Sequence, residues 1–241
     1  MTKISSLEEY ISIIKELYRM EGSVGVYKIY YRGQNNSNYN LLPSLSHKIK
    51  EIDDEDSNYI AFEQSIIERA KLEYPEIFKD TNSIDELALM QHYGLPTRLM
   101  DVTENPLVAL YFACQKNEEN SGEVFIFNTG VHAQIYTSYD EELLKEKNEI
   151  AFIRAKNFSS RQRAQQGLFM WFPDNKLKGI EKNVDINPVI SKIITIPAEH
   201  KANLLKELKM VGISPKSLFP DNIDFCCMEL VKDITKNAFS A

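Results

Sequence analysis

The chain is short of cysteine, histidine and basic charge, and each shortage closes off a class of function. Three cysteines occur in 241 residues: Cys114, Cys226 and Cys227. Two are adjacent and the third lies in an apolar stretch, so neither a disulfide framework nor a zinc spacing is available. Four scattered histidines do not compose a histidine-rich metal site, and no metal is expected. Basic residues number 28 against 35 acidic, a formal net charge of −7. Without a basic stripe, that balance argues against a broad phosphate-backbone footprint and leaves room only for a local basic pocket. No apolar run approaches the ~20 residues that span a bilayer, and no signal-peptide core follows Met1. A cytoplasmic protein without a membrane partner is the expectation. Glycine-rich phosphate loops, nucleophile elbows and zinc-hydrolase helices are also missing.

What is present reads as one globular unit. Apolar residues make up 43% and charged residues 26%, ordinary values for a packed domain. The length suits one well-buried core over residues 1–241, and no linker divides it. Ser6 with Glu9 forms a capping-box pattern ahead of Ile11, Ile14, Leu17 and Tyr18 at helical spacing. Val26 to Tyr31 reads as a strand. Leu41 to Leu45 reads as an anchored loop, Glu51 to Asp56 as a solvated lead-in, and Ser57 to Leu72 as a helix ended by Pro75. Ser83 caps a helix that Gly94 and Pro96 stop. An extended piece, Thr97 to Val102, leads to Asn105-Pro106, which opens an apolar helix. Glu123 to Phe127 and Ser191 to Ile196 read as strands, Asp140 to Lys147 and Glu199 to Met210 as helices. A short turn of helix opens at Ser214-Pro215, and Phe219-Pro220-Asp221 leads into a last helix through Leu230. With no regular strand–helix alternation, the fold class is α+β, with early helices packed on a mixed or split sheet. The expected core is Ile11, Ile14, Val26, Ile29, Phe62, Ile66, Leu87, Leu110, Ala113, Val124, Ile126, Ile194 and Leu205.

Three segments carry residues suited to chemistry. Tyr31-Arg32-Gly33-Gln34 puts a five-donor guanidinium at a strand end beside a glycine, where a phosphate or carboxylate can approach. Pairing with an acidic side chain is the plainer role for Arg32, and a simple turn for Gly33. In Gln91-His92-Tyr93-Gly94-Leu95-Pro96-Thr97-Arg98, His92 can serve as acid or base or fix a carbonyl. Thr97 and Asp101 project to one side if the run is regular, and Arg98 to the other; an Arg98–Asp101 pair tying down the loop is the structural alternative. Gln165-Gln166-Gly167 offers amides that both donate and accept, suited to a ribose hydroxyl or another amide, or else forms a helix-to-strand turn. Arg161 and Arg163 either add phosphate contacts or face water. Cys114 reads as packed and inert.

These segments resemble the FRG domain, whose Phe-Arg-Gly signature here reads Tyr31-Arg32-Gly33. The likeness continues through Leu42-Pro43-Ser44-Leu45 and the block Gln91 to Asp101. It extends over Thr103-Glu104-Asn105-Pro106, Ala109 to Ala113, Arg163 to Phe169 and Leu218-Phe219-Pro220, covering about residues 25 to 225. Bacterial and phage membership implies a role in phage defence. More distantly, the element order looks like that of ADP-ribosyltransferases of the arginine-serine-glutamate type. That likeness implies that Arg32 holds NAD phosphate or ribose, and that Thr97 to Asp101 leading into Ala109 to Ala113 replaces the serine-threonine-serine strand. The family's glutamate place falls at Gln165 or Gln166, and a neutral amide cannot stabilise a cationic sugar as a carboxylate does. Asp101 or Glu104 would then have to supply the charge.

The resemblance names Arg32, His92, Gln166 and Asp101 as candidate catalytic residues. Arg32, Gly33, Gln34, Tyr93, Thr97, Arg98 and Gln165 are the candidate ligand contacts. NAD enters as a substrate rather than a resident cofactor, with nicotinamide near Tyr93 and His92 and Gln166 on ribose. The implied partners are a nucleotide-like small molecule and a protein or nucleic-acid acceptor; the sequence does not set the oligomeric state. Two other readings stand beside transfer: a non-catalytic module binding a nucleotide or protein, and a phosphoesterase or nuclease using His92 with Asp101.

Overall fold

A computed structural model describes residues 2–21, 28–52, 58–116, 119–129, 134–137, 140–146, 148–156, 159–177 and 190–223. The strands are β1 (Thr2–Lys3), β2 (Ile29–Gln34), β3 (Leu99–Thr103), β4 (Gly122–Asn128), β5 (Ile135–Thr137), β6 (Ala151–Arg154), β7 (Gly167–Trp171) and β8 (Ile190–Ile196). The helices are α1 (Leu7–Glu21), α2 (Ser44–Ile52), α3 (Tyr59–Glu73), α4 (Ser83–His92), α5 (Pro106–Cys114), α6 (Glu141–Lys145), α7 (Ser160–Ala164), α8 (Asp174–Leu177), α9 (Ala198–Met210) and α10 (Pro215–Leu218). The strands form one mixed sheet in the order β1-β8-β4-β2-β3-β7-β6-β5. Two pairings, β1 with β8 and β5 with β6, are parallel. The result is a single α+β domain.

The sheet is weakest at its centre. β2 pairs with β4 through six residues and β3 with β7 through five, but β2 and β3 meet at Tyr31 and Thr103 alone. Two half-sheets therefore join at one point and open away from it. One face is covered by a core shared across the join, in which Tyr30, Phe125 and Phe127 of one half pack with Met100, Val102, Leu168 and Met170 of the other. On the opposite face the halves are covered separately. Helices α1, α5 and α9 pack on Tyr31, Val124, Ile126 and Ile194, while α4 packs on Leu99, Phe169 and Trp171. The groove between α5 and α4 lies over the join.

Helix α5 is buried almost all round, at Val108, Ala109, Leu110, Tyr111, Ala113 and Cys114, as a central helix must be. Asn105 caps it by accepting from the Leu107 amide, and Pro106 occupies the first turn. Fully burying Leu110 contributes roughly 1.5–3 kcal/mol. Small residues let the helix lie close. A Cβ on Gly33 would fall 1.8 Å from the Ala109 carbonyl oxygen, and one on Gly122 would fall 2.1 Å from that of Ala113.

Several boundaries differ from the sequence reading. The early strand runs from Ile29 to Gln34, so Arg32 and Gly33 lie inside it; the Val26 portion falls outside the described residues. The expected Leu41–Leu45 loop already contains the start of α2 at Ser44, and of the supposed lead-in, Glu51 and Ile52 are helical while 53–57 are outside the description. Asn82, rather than Ser83, supplies the capping oxygen of α4, and Asn58 caps α3. Strands β1, β5 and β6 went unread because they are two to four residues long. Most of the expected last helix, from residue 224 on, lies outside the described residues. Among the expected core residues Ile14, Ile29, Leu87, Leu110, Ala113, Val124, Ile126 and Ile194 are buried. Ile11, Phe62, Ile66 and Leu205 sit at its margin, and Val26 is outside the description.

Candidate functional site

Over the join lies a cavity of about 250 Å³. Its floor is Tyr31, Arg32 and Gly33 of β2 with Asp101, Val102 and Thr103 of β3 and Gly167 to Phe169 of β7. Its walls are Ala88, Gln91 and His92 from α4, and Val108, Ala109 and Phe112 from α5. Arg161, Gln162 and Gln165, from α7 and the turn after it, complete the lining. A smaller pocket of about 170 Å³ adjoins, sharing Arg32, Gln91 and Asp101 and bounded further by Pro43, Ser44, Gly94 and Leu95. Those three shared residues form the waist between the chambers.

Arg32 stands where the main-chain ladder between β2 and β3 has ended. Its Nη1 donates to the Asp101 main-chain carbonyl at 2.6 Å. Its Nε is buried and has no hydrogen-bond partner among the described residues. Burial pushes its pKa down, and the nearby Asp101 charge opposes that. Guanidinium basicity is high enough to keep it cationic at neutral pH. A half-buried cation with unused donors is held ready for an anion.

Asp101 is exposed to the cavity and oriented by a directional chain. The Leu99 amide donates to Thr97 Oγ1 at 3.2 Å, and that hydroxyl donates to Gln91 Oε1 at 2.5 Å. Gln91 Nε2 then donates to Asp101 Oδ2 at 2.7 Å. The chain fixes which end of the Gln91 amide meets the carboxylate. Thr97 is itself fully buried, and its main chain is clasped by Ser44. Thr97 and Asp101 thus converge on Gln91.

Other expected contacts are placed elsewhere. Arg98, read as a ligand contact or a partner of Asp101, points away from the cavity. Its main-chain amide and Nε donate to Glu63 at 2.8 and 2.5 Å, Nη1 donates to Asp174 at 2.6 Å, and the guanidinium lies over Trp171. That triad, with Arg98 and Glu63 buried and Asp174 exposed, fastens α3 and α8 to the sheet. Gln34 is buried and donates to the Asn36 and Tyr39 carbonyls, holding the loop after β2. Gly33 does line the cavity, but the space its missing side chain leaves is filled by α5 rather than by a ligand. Gln166 is exposed and off the cavity wall, in a left-handed turn at φ 47°. Gln165 is at the wall, yet its amide donates to the Leu218 carbonyl. His92 lines the cavity, whereas its edge-on neighbour Tyr93 projects to solvent beyond it.

Sequence reasoning passed over Gln91, Thr103 and Gln162 as individual site residues. Thr103 donates to the Gln165 carbonyl and accepts from the Asn105 amide, tying β3 to the turns on either side. The available signal was spacing: Gln91 lies one position inside the helix end that carries His92. Among the described residues, no group of three His, Cys, Asp or Glu side chains could hold a metal ion. No helix among them is long and apolar enough to cross a membrane.

Residues 27–122 match the FRG domain. That span contains β2, α4, β3 and α5, and ends before α7 and β7, short of the residue 225 expected from motifs. No curated protein and no solved structure matches the chain.

Proposed function

We propose that this cleft binds NAD or a related nucleotide and cleaves the bond at the ribose C1′, passing ADP-ribose to an acceptor. The observation that carries the reading is the presence of a guanidinium and a carboxylate, Arg32 and Asp101, on one cavity over the join of two half-sheets. Arg32 would hold a phosphate or ribose oxygen through its unused donors. Nicotinamide would leave with the electrons of the C1′–N bond, and the resulting oxocarbenium-like sugar would be stabilised by the Asp101 carboxylate, fixed by Gln91. The acceptor nucleophile then attacks C1′ and loses its proton. Asp101 takes the part that an amide at residue 165 or 166 cannot. The cavity is slightly below the ~300–1,000 Å³ usual for ligand pockets, which suits a nicotinamide-ribose half with the rest of the dinucleotide extending past the waist.

A binding module without chemistry is the second reading. It is favoured by the commitment of Gln165 to a main-chain carbonyl and by Asp101 being the one carboxylate on the cavity wall among the described residues. Incubating the purified chain with NAD, cell-extract protein and nucleic acid, and measuring free nicotinamide, separates the two. The transfer reading expects release that falls at least a hundredfold in Asp101→Asn. No release under any of these conditions, with NAD still bound, would leave the binding reading in its place.

A further inference from the structure

The cavity holds a second guanidinium that the transfer reading does not use, from a part of the chain outside the FRG match. Arg161 of α7 lines the wall. Its guanidinium carbon sits 4.9 Å from the centre of the Phe219 ring. Phe219 in turn packs edge-on against Phe112 at 6.1 Å, and Phe112 is also a cavity residue. The cation–π contact with the ring holds the guanidinium at the wall without using its hydrogen-bond donors, which stay free to bind. The main-chain amide of Arg161 contacts Asp221 at 3.4 Å, but its guanidinium has no hydrogen-bond acceptor among the described residues. Arg32 also keeps unused donors: Nη1 is engaged with the Asp101 carbonyl, and Nε is buried without a partner.

Two half-buried guanidiniums and one carboxylate, Asp101, share about 250 Å³, in a chain whose net charge is −7. Concentrating positive charge in a partly desolvated space is costly unless an anion is to be bound there. A single phosphate satisfies one fork; two forks, one on the floor and one on the wall of one small cavity, match two linked phosphates. We propose that Arg32 and Arg161 together grip a diphosphate, so that the ligand class is a diphosphate-bridged nucleotide rather than a nucleoside or a monophosphate. This assignment rests on the proposed nucleotide site and adds its specificity. Arg163, exposed on the same helix and absent from the cavity wall, has no part in it.

The test uses calorimetric titration of the full chain with inorganic pyrophosphate and inorganic phosphate. Wild type and Arg163→Ala should bind pyrophosphate at least tenfold more tightly than phosphate. Arg161→Ala should lose that preference while retaining phosphate affinity within about twofold. Arg161→Met, which keeps a stem against Phe219, repeats the measurement if Arg161→Ala does not fold. Equal affinity for the two anions in wild type, binding of neither, or an Arg161 variant that keeps the full preference overturns the assignment. NAD turnover is read separately. A lost pyrophosphate preference in Arg161→Ala, together with no NAD cleavage by wild type, leaves the diphosphate grip standing and removes the transfer reading. NAD cleavage at wild-type KM by Arg161→Ala does the reverse.

Discussion

Arg32 donates to the main-chain carbonyl of Asp101 at 2.6 Å, while the carboxylate of Asp101 is held by Gln91 at 2.7 Å. The two charged groups are therefore neighbours without neutralising each other through a direct side-chain pair. A direct ion pair would have satisfied both internally and left little for a ligand. Here the cation keeps unused donors and the anion keeps one oxygen, on the same cavity. Placing both where β2 and β3 part is possible because the sheet joins at a single residue pair.

Gln91 should act on catalysis through Asp101. Gln91→Leu removes the amide that orients the carboxylate, and a displaced charge costs about 10–100-fold in rate. Steady-state nicotinamide release is expected to show the loss in kcat with KM little changed. An equal loss of thermal stability with unaltered kcat would make Gln91 purely structural.

The glycine of the Tyr-Arg-Gly signature should prove a packing residue. Gly33→Ala forces a methyl to 1.8 Å from the Ala109 carbonyl oxygen and 2.7 Å from the Ala113 nitrogen. Helix backbone cannot move aside cheaply, so a loss of about 3 kcal/mol or more is expected in urea unfolding. Gly167→Ala, whose Cβ would meet nothing nearer than 3.6 Å, should stay within about 1 kcal/mol of wild type. Similar effects at the two positions would contradict the close approach of α5.

Removing Arg98 should damage the fold rather than the site. Glu63 is almost wholly buried; burial raises its pKa and the Arg98 charge and hydrogen bonds pull it back. Arg98→Ala strands that carboxylate, at a cost of about 3–5 kcal/mol. The double variant Glu63→Leu with Arg98→Met should recover much of the loss. A double variant no better than the single one, by denaturant titration, would argue that the pair is not the source.

These outcomes separate what was legible in the chain from what was not. Periodicity and terminating glycines revealed α4 and α9, and the Asn105-Pro106 cap revealed α5, because these signals act locally. Arg32 and Asp101 each stand out as candidates, but not as neighbours: the local reading sets Asp101 beside Thr97 or against Arg98. Which side each residue served was hidden wherever the answer depended on distant partners. Arg98 meets Glu63 and Asp174, 35 and 76 residues away. Gln34 looked like a ligand contact because nothing local shows that it will close the loop from Asn36 to Tyr39. Gly33 carried a correct signal of close approach, but the approaching group was a helix. Gln165 and Gln166 were adjacent in sequence and parted by a turn, one to the cavity wall and the other to solvent.

Glu123 should govern part of the pH dependence of stability. It is buried at the start of β4, and desolvation raises its pKa above the usual 4.5. Between the unfolded value and the raised folded value the native state holds the extra proton. Stability therefore falls as pH rises through that window, and the loss is complete above the folded pKa. Glu123→Gln should remove this component and raise Tm at pH 7 relative to wild type. Melting curves from pH 4 to 7 check it; a wild type and variant with parallel profiles would contradict the assignment.

The most direct measurement is made on Arg32→Ala, titrated with ADP-ribose by calorimetry and melted in the same buffer. Loss of one charge-assisted hydrogen bond to a carbonyl, offset by relief of a desolvated cation, should change stability by no more than about 2 kcal/mol. Binding should weaken about a hundredfold or more, because the anion loses its principal fork. A variant that binds ADP-ribose as wild type does, or that unfolds outright because Arg32 was holding the two half-sheets together, would contradict the claim that this guanidinium is kept for a ligand.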